Sequence, residues 1–192
     1  MKKKVLVIIL FCLFFKSFGQ LKPQIGINIP SLSSPPLGRD FETRNGFSIG
    51  ATYMMGNQFY MEPGLLYSTY GFEIYRTLDP EDFTIVDSRS LEIPFMVGGR
   101  FMPKENSFNV RAFTGPKMTW AFAEDIDSDL IIDERKTILW GWVVGYGIDY
   151  KMFFMEANYE FGLTDYFETS QILQRDSKKN MFSIKVGVNL FK

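Results

Sequence analysis

The sequence contains no histidine. That absence excludes a Ser-His-Asp triad, a histidine general base and any histidine-ligated metal site. Cysteine is close to absent: the one copy, Cys12, sits in an apolar run near the N-terminus. The chain beyond residue 19 therefore has neither a disulfide nor a thiol nucleophile. It also has no stretch of 18 consecutive apolar residues, which excludes a membrane-spanning helix, and no convincing helical periodicity. Basic charge is not in excess: 21 Lys and Arg stand against 22 Asp and Glu. Four of those bases and none of the acids lie in residues 1–19, so the remainder carries 17 against 22, a net charge of −5. An acidic surface argues against nucleic acid as a partner. No motif calls for a cofactor. Gly145-Tyr146-Gly147 has no phosphate-loop meaning, because no helix follows it.

What is present begins with an export signature. Lys2, Lys3 and Lys4 precede the apolar run Val5 to Phe15, eleven residues long. That is too short to span a bilayer and suits a signal core. Ser17 and Gly19 place small residues at the −3 and −1 positions of a cleavage site. Residues 1–19 therefore read as a signal peptide and 20–192 as one domain, an uncleaved anchor being the alternative. Phe11 before Cys12 argues against lipidation. Aromatics make up 17% of the chain, high for an acidic domain, and something apolar has to take them.

Eight segments of period two follow, joined by alternately long and short connections. The first is Gln24 to Ile29, followed by a polar stretch from Pro30 to Arg44. The second is Gly46 to Met55, with a tight turn at Gly56-Asn57. The third runs from Gln58 to about Ile74, and a long connection from Tyr75 to Arg89 leads to the fourth, Ser90 to Phe101. The fifth runs from Phe108 to about Phe122, before an acidic loop from Ala123 to Lys136. The sixth is Thr137 to Tyr150 and the seventh Met152 to Leu163. After the loop Thr164 to Lys179 comes the eighth, where Phe182, Ile184, Val186, Val188 and Leu190 alternate with Ser183, Lys185, Gly187 and Asn189. Segments of roughly ten residues, apolar on one face and polar on the other, predict an all-β fold: an eight-stranded antiparallel up-and-down transmembrane barrel. In a bilayer only closed arrays of hydrogen bonds are viable, and an even strand count puts both termini on the periplasmic side.

With the apolar faces assigned to lipid, nine charged residues point inward: Glu62, Glu92, Arg100, Arg111, Lys117, Asp149, Glu156, Glu160 and Lys185. A slip of one residue would push them into hydrocarbon, so register is strongly fixed. Eight strands leave an interior that side chains fill. These charges read as a structural ion-pair network, a proton or ion path being the sharper alternative. Ten inward glycines, among them Gly98, Gly141 and Gly145, are expected to make room for long neighbours. Trp120, Trp140, Trp142, Tyr53, Tyr67, Tyr146 and Tyr159 are expected at headgroup depth. Pro63, Pro94 and Pro116 fall inside strands, where proline cannot donate to the ladder, so bulges or bends are expected there.

Glu62-Pro63-Gly64-Leu65-Leu66-Tyr67, Leu91-Glu92-Ile93-Pro94-Phe95, Gly145-Tyr146-Gly147-Ile148-Asp149-Tyr150 and Tyr159-Glu160-Phe161-Gly162-Leu163-Thr164-Asp165 resemble the PorT-type outer-membrane β-barrel domain family. The resemblance runs in order through the whole chain beyond the signal. It implies a small outer-membrane barrel without catalytic residues, and its prolines make the three strand prolines expected. The family's founding member is linked to an outer-membrane protein secretion system. The end of the chain is similar to the apolar, aromatic-tipped last strand that the insertion machinery reads, with Phe191 penultimate.

Other chemistry fits less well. Glu156 and Glu160 stand roughly 13 Å apart along a strand, beyond the reach of a glycosidase pair. Asp125-Ile126-Asp127-Ser128-Asp129 begins like a calcium loop, but Leu130 takes the glycine position and Lys136 that of the bidentate glutamate. It reads as a solvated acidic loop. Phe83, Ile85, Leu130, Ile131, Ile132, Tyr166 and Phe167 form either an external contact surface or strand extensions. The expectation is a non-enzymatic outer-membrane protein with four external loops, structural or acting through those loops. Its partners would be outer-membrane lipid, lipopolysaccharide, the insertion machinery and an envelope protein. Two alternatives stand beside it: an accessory subunit of a secretion or assembly complex, and a soluble periplasmic barrel with a lipophilic ligand inside. In the second case Ile184, Val186 and Val188 would face a central cavity.

Overall fold

A computed structural model describes residues 19–32, 39–76, 79–102, 107–126, 137–164 and 178–190, with side chains given for all of these but 32, 39–42, 72–76, 79–86 and 123–126. The strands are β1 (Gly19–Leu32), β2 (Arg39–Arg44), β3 (Gly46–Gly56), β4 (Phe59–Arg76), β5 (Asp79–Arg100), β6 (Phe108–Ile126), β7 (Ile138–Tyr150), β8 (Phe153–Gly162) and β9 (Lys179–Val188). Only Asn45 separates β2 from β3, and both pair with β4, so together they fill one position in the wall. All pairing is antiparallel, and each strand meets the next around the circle until β9 returns to β1. The result is a closed eight-stranded barrel. Its turn end holds Gly56 (φ 114°) and Lys151 (φ 54°), left-handed positions that reverse the chain in short turns.

The wall is inside out relative to a water-soluble protein. On β9, Ser183 and Lys185 are buried while Ile184 and Val186 are exposed. On β7, Trp140, Trp142, Val144 and Tyr146 face outward around a buried Gly141, Val143 and Asp149. The fully buried side chains include Arg111, Lys22 and Glu92, whereas the exposed ones include most of the described Ile, Phe and Trp. A monomer in water rarely exposes apolar patches larger than a few hundred Å². Hydrocarbon is the solvent this surface fits, and a closed barrel leaves no ladder group for it to strand. A soluble barrel around a lipophile needs the opposite assignment of faces. Among the described residues no helix is long and apolar enough to cross a membrane.

Three expectations change. First, strands run past the predicted bounds: β5 begins at Asp79, inside the supposed connection 75–89, and takes in Phe83 and Ile85; β6 continues to Ile126; and β2 lies within the polar stretch 30–44. Alternation of apolar and polar residues records two solvents. Where both faces of a hairpin leave the hydrocarbon, the pattern ends but the ladder continues. Second, β1 starts at Gly19, so Lys22 belongs to it. Third, the strand prolines do not shift the register. Pairing around Pro63 and Pro94 keeps the same offset from Phe59↔Gly99 to Tyr67↔Leu91. Individual pairs lapse beside the prolines, as a missing donor requires, but side-chain packing on two faces holds the alignment. The shifts on β5 lie elsewhere, at Arg89/Ser90 and at the hairpin tip.

The aromatic residues expected at headgroup depth all lie on outward positions. Tyr67 packs against Phe47 and Phe122, and Phe122 against Trp120, making a band of rings near the loop end. Phe59, Phe101, Phe108, Tyr150 and Phe153, exposed at the turn end, make the opposite band. Residues 1–18, the stretch 127–136 and the residues Tyr166 and Phe167 lie outside the described residues, and with them the signal peptide and the calcium-like sequence from Asp127 onward.

Candidate functional site: the charged lumen

Alternation delivers side chains to the lumen, and the strand order decides which ones meet. Around the circle Lys22 on β1, Glu62 on β4, Arg111 on β6 and Glu156 on β8 occupy every second wall position. Their charges alternate in sign. Lys22 Nζ lies 2.7 Å from Glu62 Oε1 and 2.6 Å from Glu156 Oε1. Arg111 completes the ring, with Nη2 2.9 Å from Glu156 Oε1 and Nη1 3.6 Å from Glu62 Oε2. Its Nε reaches Asp149 Oδ2 on β7 at 2.9 Å. Thr52 Oγ1 donates to Glu62 at 2.5 Å. Phe154 lies under the Lys22 ammonium, 4.3 Å from ring centre to Nζ. Four opposed walls are thereby tied across the lumen by buried charge-assisted bonds.

A second bridge stands nearer the loop end. Lys117 Nζ lies 3.0 Å from Glu92 Oε2 and 2.5 Å from Glu160 Oε2, joining β5, β6 and β8. Gly141 lets the glutamate pass: a Cβ there would come within 2.5 Å of Glu160 Oε1. Beyond it, Asn28 Nδ2 donates to Ser68 Oγ at 2.7 Å and Ser183 Oγ to Asn28 Oδ1 at 2.9 Å. Lys179 Nζ sits 4.4 Å from the centre of the Tyr70 ring. At the turn end, Arg100 donates to Gln20 Oε1 at 2.9 Å and to the Asn57 carbonyl at 3.2 Å. Between these polar layers lies an apolar one of Met54, Tyr60, Met96, Phe113 and Val143. A chamber of about 20 Å³ remains between Glu62, Glu156, Lys117 and Lys185, room for about one water.

All nine charges read from the sequence as inward lie inside the barrel, and eight of them are in the two networks or at the turn-end cap. Lys185, also buried, lines the chamber. Two more bases were not anticipated. Lys22 lies two residues before the predicted first segment, in step with Gln24, Gly26 and Asn28, and Lys179 is the first residue of β9 where the sequence predicts the end of a loop. With them the described lumen holds six bases and five acids. No described cluster of acids or thiols is arranged to hold a metal ion.

Residues 17–168 match the outer membrane protein beta-barrel domain family. Among solved structures, the outer membrane protein OprG from Pseudomonas aeruginosa superposes with a TM-score of 0.57 at 13% identity, over 90% of this chain and 93% of that one. At that identity the likeness is one of fold. Two looser likenesses are Ail, the attachment invasion locus protein of Yersinia pestis, solved with the heparin analogue sucrose octasulfate, and the N-terminal β-barrel domain of P. aeruginosa OprF. Ail gives a TM-score of 0.48 at 16% identity, over 90% of this chain and 99% of that one. OprF gives 0.43 at 14%, over 89% and 100%. No curated protein matches the sequence. A family match over most of its length, on a barrel with an apolar outer wall, makes this chain a member of the outer-membrane β-barrel domain family, resident in the outer membrane.

Proposed function

We propose that this protein is a non-catalytic outer-membrane barrel whose lumen is closed by its own ion pairs and whose contacts with other molecules are made at the loop end. The observation that carries the first half is the alternating quartet of Lys22, Glu62, Arg111 and Glu156 across the lumen. Every charge in it is matched by a neighbour of opposite sign, the arrangement expected of a brace. A solute path needs groups that exchange partners or water. The second half is supported by the extension of β4, β5 and β6 past the band of aromatic rings, joined there by β2. Both termini are assigned to the periplasm and the long connections to the cell exterior. Residues 1–19 are assigned to a cleaved signal.

A narrower version of the loop-end contact makes the barrel an accessory subunit of an outer-membrane secretion or assembly complex, docked on the extension of β4, β5 and β6. Crosslinking in intact envelopes followed by pull-down tests it. A stoichiometric envelope protein crosslinked through residues 79–86 is the expected result, and recovery of the barrel alone would remove the accessory-subunit reading. Closure is tested in planar bilayers. Wild-type protein should give no stable conductance steps, and a steady open pore would overturn the brace.

A further inference from the structure

Cleavage after Gly19, as assigned above, leaves Gln20 as the N-terminal residue. β1 begins there, and it turns the Gln20 side chain into the turn end of the lumen, 8% exposed. A glutamine at a free N-terminus carries a nucleophile and an electrophile in one residue: the α-amine and the side-chain amide carbon. An α-amine titrates near pH ~8, so a good part of it is neutral and nucleophilic at neutral pH.

The lumen acts on the electrophile. Arg100 on β5 donates through Nη2 to Gln20 Oε1 at 2.9 Å. Two further acceptors hold the guanidinium in place, the Asn57 carbonyl at 3.2 Å and Met54 Sδ at 2.9 Å. A fixed cation on a carbonyl oxygen stabilises the negative charge that develops there when an amine adds to the carbon. Charge also favours the product. The described lumen already holds six bases against five acids. An α-ammonium on Gln20 would add one more cation beside Arg100, and buried charge without a partner is costly. A lactam removes that charge. It keeps a carbonyl oxygen for Arg100, and its ring N–H remains a donor at the ladder position opposite Met54.

We infer that Gln20 is a modification site: once the signal is removed, it closes to an N-terminal pyroglutamate. The lone pair of the α-nitrogen attacks Cδ and the N–Cδ bond forms. The Cδ–Nε2 bond then breaks, and Nε2 leaves as ammonia, taking a proton from the α-amine. The step is intramolecular and needs no oxidant, reductant or second substrate. The inference rests on the cleavage assigned above, and the two fail differently under test.

Intact-mass and N-terminal peptide spectrometry of protein purified from outer membranes tests it. The expected mass is that of residues 20–192 less one ammonia, with the loss mapped to Gln20. N-terminal sequencing should be blocked until pyroglutamate aminopeptidase is added. A chain that begins at Gln20 with its ammonia intact would overturn the ring. A chain that begins elsewhere would overturn the cleavage and the ring with it. The part played by Arg100 is read as a rate. Protein released from a cleavable tag with Gln20 free is folded into detergent, and ring closure is timed against the same chain held unfolded in urea. Closure should be about tenfold faster in the folded wild type, and Arg100→Met should lose that gain. Should Arg100→Met not fold, the comparison of folded with unfolded wild type stands alone. Equal rates would make closure a property of the bare terminus and overturn the role of Arg100.

Discussion

At Lys22 the ammonium is shared between two carboxylates and has no exposed surface. Removing one partner of a buried pair costs about 3–5 kcal/mol, because it leaves uncompensated charge in a low dielectric. Lys22→Met should therefore lower stability by about that amount, measured by urea-induced unfolding in lipid vesicles. The double variant Lys22→Met/Glu156→Met should lose less than the sum of its parts, since replacing a whole buried pair by apolar groups is often near neutral. A double-mutant cycle with no coupling would show that the two residues are not joined. Glycine gives a second residue-scale contrast. Gly141→Leu must displace Glu160, whose Oε1 lies 2.5 Å from the new Cβ, and should destabilise the barrel, whereas Gly99→Leu points into open space and should not. The same unfolding assay reads both.

Each strand is a two-solvent object, and that is why most of the wall was legible from the sequence. The parity of Ile184, Val186 and Val188 against Ser183 and Lys185 fixes one strand's orientation without any structure, and the wall repeats it. It follows that Val186→Arg, placing a base in hydrocarbon, should cost about 2–4 kcal/mol near the bilayer centre, while Lys185→Arg on the inner face should cost far less. Equal losses in an unfolding titration would mean that the faces are misassigned. What parity could not reveal is equally physical. Residues 79–89 pair as a strand but lie where both faces leave the hydrocarbon, so no alternation marks them. Lys22 stands before Pro23, outside the alternation that begins at Gln24, although Pro23 pairs with Ala51 in unbroken register. Inward Leu66, Leu139 and Val143 were also unexpected, because an apolar residue on the polar face breaks the pattern by which the face is recognised.

Over the whole molecule, pairing between distant strands turns a list of inward charges into a brace. Glu62 and Glu156 are 94 residues apart in sequence, yet both bind the same lysine. Nothing local in either segment specifies that meeting; the strand count and the closure of β9 on β1 do. The barrel therefore rests on a wall whose odd and even positions see different solvents, lipid outside and ion pairs within. Site-directed spin labelling along 181–189, in a Cys12→Ser background reconstituted in bilayers, tests it most directly. Labels at 182, 184, 186 and 188 should be accessible to oxygen and hidden from a polar nickel reagent. Labels at 183 and 185 should be immobilised and reached by neither. A period of two with those phases is the predicted result; nickel accessibility at 184 and 186, or no periodicity at all, would contradict it.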